Sequence, residues 1–197
     1  MDATSAVKQV HLQLACRGER SMRLRAVAMV EWLLGARRSD RGTVKTQARQ
    51  PLRAGTAGMV LMATQCDHSA GFGGGTAFLV RVAQGPGDRG GPPGGADAPD
   101  DDWTCDRREF FDARGRLVLP DSLGLAQGEG LDPCAALGTS FTLQPGTSHD
   151  VVFLLGWAES PEAAWRLALE ASETAAARRL VEVRAFWDTL LGATEVS

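Results

Sequence analysis

The stretch LQPGTSHDVVFLLGW, residues 143–157, carries the clearest fold signal in the sequence. It begins with the last two residues of the strand-like run TSFTLQ at 139–144, and it ends in the apolar run 151–157. Pro145 and Gly146 lie between the two runs, in a connection of the length and chemistry found in hairpins. The stretch therefore predicts two short antiparallel strands joined by a turn.

Four further apolar runs indicate that strands make up most of the chain. Residues 10–16 alternate apolar and polar side chains, which is typical of a half-buried strand. Residues 22–35 begin with the same alternation and become apolar on both faces from Ala26, which predicts a strand passing from an edge into covered sheet. Runs at 58–65 and 76–82 lie between Gly, Asp and Ser clusters. The sequence therefore predicts a mainly β fold of antiparallel sheet.

The pattern changes to helix after residue 157. Ser160, Pro161 and Glu162 supply an N-cap hydroxyl, a ring-locked first helical residue and an anion near the positive helix end. Further along, apolar residues at spacings of four, three, four and three form one helical stripe before Gly192, namely Ala176, Leu180, Val183, Trp187 and Leu190. Such a stripe either packs on the chain's own sheet or links to a further domain.

The stretch GPGDRGGPPGGADAPDDD, residues 85–102, has almost nothing to bury and predicts a disordered loop. It has no Gly-Lys-Ser/Thr ending, and its prolines lack the backbone N–H groups that a phosphate loop uses. The glycines of residues 71–78 lead into a strand, so they lack the helix N-terminus that binds a pyrophosphate. Neither stretch predicts a nucleotide site.

The charge is unevenly distributed along the chain. The net charge is −3, but residues 1–53 carry eleven Lys or Arg against four Asp or Glu, and the remainder carries ten against twenty. Arg23 and Arg25 alternate with apolar residues as on the solvated face of a strand, and no aromatic ladder for base stacking accompanies them. We therefore expect a solvated or docking face and no nucleic-acid partner.

Cysteine spacing and hydropathy indicate the compartment. The four cysteines form no Cys-x-x-Cys pair, which predicts buried, reduced thiols in a cytoplasmic protein: Cys16, Cys66, Cys105 and Cys134. No run approaches the roughly 20 apolar residues of a membrane span, and the N-terminus lacks the pattern of a secretory leader. The cluster at 66–69 is typical of a turn rather than a zinc site, so we expect no metal and no cofactor.

Patterns for catalysis are weak. There is no Gly-x-Ser-x-Gly elbow for a nucleophile, and paired carboxylates for glycosidic chemistry would have to converge from separate elements. The segment CDRREFFDARGRL, residues 105–117, nevertheless concentrates acidic, basic and aromatic residues. It predicts either a charged edge strand and turn, or a sugar-facing or interface loop, because guanidinium forks and aromatic faces suit hydroxyl-rich ligands.

Six motifs in this order resemble a known enzyme family. They span residues 22 to about 195 and read RLRAVAMVEWLLG, CDHSAGFGGGTAF, CDRREFFDARGRL, GLDPCAAL, LQPGTSHDVVFLLGWA and VRAFWDTLLG. The set resembles the cyclic β-1,2-glucan synthase branch of glycosyltransferase family 36, grouped with the cellobiose-phosphorylase-like enzymes of glycoside hydrolase family 94. The resemblance implies the later part of an N-terminal β-sandwich of the galactose-mutarotase-like supersandwich type, followed by linker helices.

The resemblance also implies a role. Residues 1–158 would form the partial sandwich, and 159–197 the linker toward an (α/α)6 barrel that carries the family's catalytic residues, so no catalytic residue is expected in this chain. The chain would be a noncatalytic part in β-glucan metabolism, acting on a β-linked gluco-oligosaccharide with the barrel, as a homodimer or with a catalytic-domain partner. The matching candidate substrate contacts are Asp106, Arg107, Phe110, Arg114 and Asp132.

Two other functions stay open, a free-standing carbohydrate-binding module and an inactive remnant whose unpaired sheet edges favour aggregation. The motif GLDPC, residues 130–134, is predicted to be a corner of the fold. Pro133 restricts Asp132 to extended conformations, Asp132 is expected to cap nearby backbone N–H groups, and Cys134 is expected in the core.

Overall fold

The computed structural model describes Asp2 and residues 5–51, 57–82 and 102–193, and within these ranges the strands form two sheets. The larger sheet has the order β1-β8-β5-β4-β3, with β1 Val7–Ala15, β3 Val44–Arg49, β4 Ala57–Gln65, β5 Thr76–Val82 and β8 Ser148–Ala158. The smaller sheet has the order β2-β7-β6, with β2 Met22–Glu31, β6 Asp102–Asp106 and β7 Pro133–Leu143. All pairings between these strands are antiparallel, which confirms the predicted mainly β fold.

The main core lies between the two sheets. Leu61, Leu79 and Phe153 of the larger sheet and Leu137 and Phe141 of the smaller sheet are all buried there. Each of these strands turns one apolar face inward, as its alternating pattern requires. Burying the two faces against each other is therefore what holds the sandwich together.

The connection at 145–147 is a corner between the sheets, so the predicted pairing of its flanking strands is wrong. Gly146 has φ +73° and its N–H donates to the carbonyl of Cys16 at 3.0 Å. β7 pairs with β2 and β6, and β8 pairs with β1 and β5. Both runs have an apolar inner face, and the corner lets those faces meet across the core instead of lying side by side.

The inner face of the larger sheet is only partly covered at its β1 edge. Val10 lies opposite Phe153 and Leu12 opposite Val151 in the β1–β8 register, so these pairs share the inner face. Val10 and Leu12 are nevertheless 48% and 37% exposed. The alternation that predicts a half-buried strand at 10–16 is thus present, but its apolar residues extend past the cover of the smaller sheet.

Helix α1, Pro161–Glu173, packs on the outer face of the larger sheet. Its small residues Ala164 and Ala168 are fully buried against Val80, Val152 and other residues of that face. Ser160 accepts a hydrogen bond from the N–H of Ala163 at 3.3 Å, so the predicted N-cap is confirmed. Helix α2, Ala176–Gly192, also has the predicted extent.

The outer face of the smaller sheet is covered by the segment after β6. This segment starts with a 3₁₀ turn, Arg107–Phe110, and it buries Phe110 and Leu123 against Ala136 of β7. On the same sheet, the carboxylate of Asp102 lies over Gly138, where a Cβ atom would come within 2.3 Å of Oδ2.

The open space over Gly138 lets Asp102 reach across β7 to Arg25 of β2. Arg25 Nε donates to Oδ2 of Asp102 at 2.9 Å. The guanidinium of Arg25 is therefore paired, contrary to the solvated strand face that the sequence predicts.

Several further expectations differ from the structure. β3 was not predicted, because its polar sequence VKTQAR lacks a strong apolar alternation. The strand predicted at 22–35 ends at Glu31 and is half-buried, because it forms one edge of the smaller sheet. Cys66 is exposed, whereas the other three cysteines are buried as predicted. The predicted disordered loop lies outside the described residues except for Asp102, which begins β6.

Candidate functional site

The corner at 130–134 is the centre of the candidate site, because it joins four charged side chains. Arg107 Nε donates to Oδ2 of Asp132 at 2.7 Å, and Arg41 Nη2 donates to Oδ1 of the same carboxylate. Glu31 at the end of β2 lies 3.3 Å from Arg107 Nη1 and 3.7 Å from Arg41 Nη1. The 3₁₀ turn Arg38–Thr43, the 3₁₀ turn after β6, strand β2 and the corner are thus linked by charge.

Asp132 differs from its predicted role. Its side-chain oxygens bind the two guanidiniums, and its backbone carbonyl accepts the N–H of Arg107 at 2.9 Å. A guanidinium offers charge-assisted hydrogen bonds, which are stronger than the bond from a neutral backbone N–H. The predicted corner is confirmed, since residues 129–131 bend and β7 begins at Pro133, whereas the predicted N–H cap is wrong.

Asp106 and Arg108 form a second pair beside the first. Arg108 Nε donates to Oδ1 and Oδ2 of Asp106 at 2.9 Å each, and Arg108 Nη2 donates to Oδ2 at 2.6 Å. Burial opposes the ionisation of Asp106, but the hydrogen bonds from the Arg108 side chain and backbone outweigh it and lower its pKa. The carboxylate is therefore held ionised and oriented.

The surroundings of this charged group also affect the pKa values of its neighbours. The hydrogen bond to Asp132 raises the pKa of Arg107. Burial raises the pKa of the Cys105 thiol to about 12 and also raises that of Cys134. Both thiols are therefore protonated at neutral pH and serve as packing groups rather than nucleophiles.

An open cleft of about 430 Å³ lies against this corner. It is lined by Arg38, Arg41 and Gly42 on one side, Arg108 on another, and residues 130–133 at the corner itself. Three arginines and one aspartate are therefore among the lining residues. Such a cleft offers hydrogen-bond donors to a small polar ligand.

The structure brings together three of the five predicted site residues. Asp106, Arg107 and Asp132 belong to the charged group beside the cleft. Phe110 is 3% exposed and packs with Leu123, so its ring is a core group here. Arg114 is exposed in the tight turn after residue 111, where its N–H donates to Asp112, and it does not line the cleft. A ligand contact by any of the five stays a prediction.

Arg38 and Arg41 are the site residues that the sequence analysis missed. Both lie in ARRSDRG, which the pattern assigns to a turn, and the pattern is right about the local structure because a 3₁₀ turn forms there. The partner of Arg41 is Asp132, 91 residues away at the corner, and Arg38 lines the cleft beside it. No local signal in a single sequence marks such a contact.

A second candidate surface is the exposed part of α2. Every residue from Leu180 to Ala193 is exposed except Val183, which is half-buried. The predicted stripe is present, with Leu180, Trp187 and Leu190 exposed by 44%, 50% and 49%. Ala176, the first residue of the stripe, packs in the core under α1, but the rest of the stripe does not pack on the chain's own sheet within the described residues. The alternative of a link to a further domain stays open.

The first turn of α2 is fixed to the body by Arg179. Its side chain is buried, and Nε, Nη1 and Nη2 donate to Asp2 at 3.1 Å, Gln9 at 3.0 Å and the carbonyl of Ala171 at 2.7 Å. These three bonds connect α2 to β1 and to the end of α1. The helix therefore leaves the sandwich in a set direction, with about 20 Å of exposed length after the anchor.

Within the described residues, no group of three or more His, Cys, Asp or Glu is placed to hold a metal ion. Neither helix in the described ranges has the length and apolar composition that crossing a bilayer requires. An antiparallel two-sheet sandwich with a helix on its outer face and a second, exposed helix defines the described part of the chain as a β-sandwich domain.

The chain belongs to the family of glycosyl hydrolase 94 supersandwich domains, whose model matches residues 1–174. The cyclic beta-(1,2)-glucan synthase NdvB of Rhizobium meliloti (strain 1021) is 27% identical to it over 200 residues. The match covers 98% of this chain and 6% of that relative. A solved structure, "Putative kojibiose phosphorylase from human microbiome", aligns with a TM-score of 0.49 and 10% identity over 93% of this chain and 19% of that chain.

Proposed function

We propose that this chain is the noncatalytic supersandwich part of a cyclic β-glucan synthase or glycoside phosphorylase, and that it docks through α2 onto an (α/α)6 catalytic domain. The observation that carries the proposal is the apolar stripe of α2, in which Leu180, Trp187 and Leu190 are exposed and Val183 is half-buried. An amphipathic helix is stable and specific when its apolar face is covered by a partner. Because the chain belongs to the glycosyl hydrolase 94 supersandwich family, a catalytic domain of that family is the partner we propose.

The anchoring of α2 supports the same proposal. Arg179 holds the first turn rigidly, so the stripe is presented to a partner without first ordering a flexible linker. The family match ends at residue 174, and α2 begins at Ala176. The helix is thus well placed to join the sandwich to the catalytic domain, which handles the β-linked gluco-oligosaccharide. We expect this work to take place in the cytoplasm.

The proposal is tested by mixing the purified chain with a catalytic domain of the glycosyl hydrolase 94 family from the same genome and measuring association by sedimentation velocity. We expect a complex with the native chain. Trp187→Glu should weaken it by about 30-fold or more, because truncating a central aromatic anchor costs about 2 kcal/mol or more and a charge adds desolvation.

Val181→Glu is the matched control. Val181 is 65% exposed and lies about 100° around the helix from Leu180, beside the stripe rather than on it. This variant should bind as the native chain does. Equal binding by both variants, no association at all, or turnover of glucosyl phosphate or oligosaccharide by the chain alone would contradict the proposal.

A free-standing carbohydrate-binding module is the second candidate, and the polar cleft at the corner is the observation that favours it. Calorimetry of the purified chain with neutral β-1,2-gluco-oligosaccharides tests it. Heat that saturates and disappears in Asp132→Asn would support this alternative. No heat with any glucan would remove it.

A further inference from the structure

We propose that the cleft beside Asp132 binds an oxyanion, the phosphate or carboxylate group of a small ligand, through Arg38 and Arg108. This site is separate from docking through α2, because the cleft is formed by two 3₁₀ turns and the corner before β7. The sandwich itself would then have a ligand-binding site in addition to the docking surface on α2.

The size of the cleft fits a small ligand. Its volume of about 430 Å³ lies within the range of roughly 300–1,000 Å³ that is typical of small-molecule sites. The lining comes from three separate parts of the chain, each fixed by hydrogen bonds to another. Arg41 and Arg107 hold the corner through Asp132, and Arg108 is held by Asp106.

The ion-paired residues beside the cleft, taken together with Arg38, carry a net positive charge. Asp132 is shared by Arg41 and Arg107, which also meet Glu31. Asp106 is paired with Arg108. These three carboxylates are set against four guanidiniums once Arg38 is included, so the group carries one net positive charge.

Arg38 carries that remaining charge. It is exposed, it lines the cleft, and its side chain has no ion pair or hydrogen bond with any residue that the structure describes. Its guanidinium is therefore available to a ligand without breaking an internal bond. Guanidinium forks match the planar oxygens of carboxylates and the oxygens of phosphates.

Arg108 supplies the second donor. Asp106 accepts hydrogen bonds from its Nε and Nη2, which fixes the plane of the guanidinium and leaves Nη1 without a partner among the described residues. Preorganised donors lose less entropy on binding than free side chains do. Two arginines from two different turns line one cleft and can therefore bind one oxyanion between them.

The test is an NMR titration of the ¹⁵N-labelled full chain with inorganic phosphate, against sodium chloride at equal ionic strength. We expect saturable shifts confined to amides of residues 38–42, 107–109 and 130–132. Arg38→Gln should weaken binding about tenfold, the loss expected for one charge-assisted hydrogen bond of about 1.5 kcal/mol. The fold of this variant should be intact because Arg38 has no partner among the described residues.

Arg17→Gln is the matched control, since Arg17 is also exposed and has no ion pair among the described residues. It should bind phosphate as the native chain does. Titrations with glucose 6-phosphate, glucuronate and glucose then separate the ligand sources, and both anions should bind at the same amides while neutral glucose should not. Equal loss in both variants, shifts reproduced by chloride, or binding of glucose as tight as that of glucose 6-phosphate would overturn the proposal.

Discussion

Asp132 is the residue on which the charged corner depends. Its carboxylate is 26% exposed and joins Arg41, which is 14% exposed, to Arg107. An ion pair in such a half-buried setting is costly to break from one side only, because the remaining charge keeps its desolvation cost without its partner. The corner is therefore expected to be more sensitive to neutralising Asp132 than to neutralising a surface carboxylate.

Asp132→Asn should lower the free energy of unfolding by about 1–3 kcal/mol, since two guanidiniums lose their charged acceptor. Urea unfolding followed by circular dichroism measures the change. Glu129→Gln is the control, because Glu129 is 72% exposed and has Lys45 as its ion-pair partner among the described residues. It should change stability by less than about 1 kcal/mol, and a similar loss in both variants would show that Asp132 has no special role.

Asp106 predicts a pH dependence. Its native pKa is lowered because the hydrogen bonds from Arg108 outweigh the effect of burial. The stabilisation is therefore fully present above the ordinary carboxyl pKa of about 3.9, and it is lost as the pH falls through the lower native value. Asp106→Asn should flatten the decline of the urea midpoint as the pH falls through this acid range. Asp121→Asn is the control and should leave the decline unchanged, because Asp121 is exposed and has no ion pair among the described residues. Parallel declines in all three proteins would refute this assignment.

At the scale of single residues, the sequence could indicate the chemistry of the site but not its geometry. Asp106, Arg107 and Asp132 stand in conspicuous motifs, and the structure places them together. Phe110 stands in the same motif, yet it is buried, because the outer face of the smaller sheet needs an apolar cover. Whether an aromatic side chain in a charged segment faces a ligand or a core depends on tertiary packing, which a single sequence does not show.

At the scale of elements, Arg179 decides where α2 points. Arg179→Leu would leave Asp2, Gln9 and the carbonyl of Ala171 without this donor, at a cost of about 2–4 kcal/mol. Hydrogen exchange should then become faster in residues 176–180 than in α1. Arg178→Leu is the control, because Arg178 is 76% exposed and, within the described ranges, its ion-pair partner is Glu182. Unchanged exchange in Arg179→Leu would rule out the anchoring role.

Elements with a strong apolar period were predictable, and elements defined by their neighbours were not. The apolar runs of β4 and β5 and the cap of α1 locate these elements correctly. β3 is polar and forms because it pairs with β4. The sequence does not predict the first half of β7, which begins at Pro133, a residue type found at the start of strands rather than within central strands. The turn at Gly146 was visible, but whether it joins paired strands or crosses between sheets depends on which faces meet in the core.

At the scale of the whole molecule, the sandwich has a well-packed interior, and α2 carries a long apolar stripe outside it. The core between the sheets and the core under α1 are both fully buried, whereas the stripe of α2 is half-exposed. A half-exposed stripe on an anchored helix fits a domain that works against a partner. The division into a sandwich at residues 1–158 and a linker at 159–197 stays a prediction. Docking through α2 is the function that we propose for the linker.

Hydrogen exchange of α2, with and without a catalytic domain of the glycosyl hydrolase 94 family, tests docking most directly. In the free chain, amides of residues 181–192 should exchange much faster than those of α1, because this part of α2 is exposed. Addition of the catalytic domain should protect residues 181–192, while protection in the rest of the sandwich stays the same. Protection of these amides already in the free chain, or no change on adding the catalytic domain, would contradict the account.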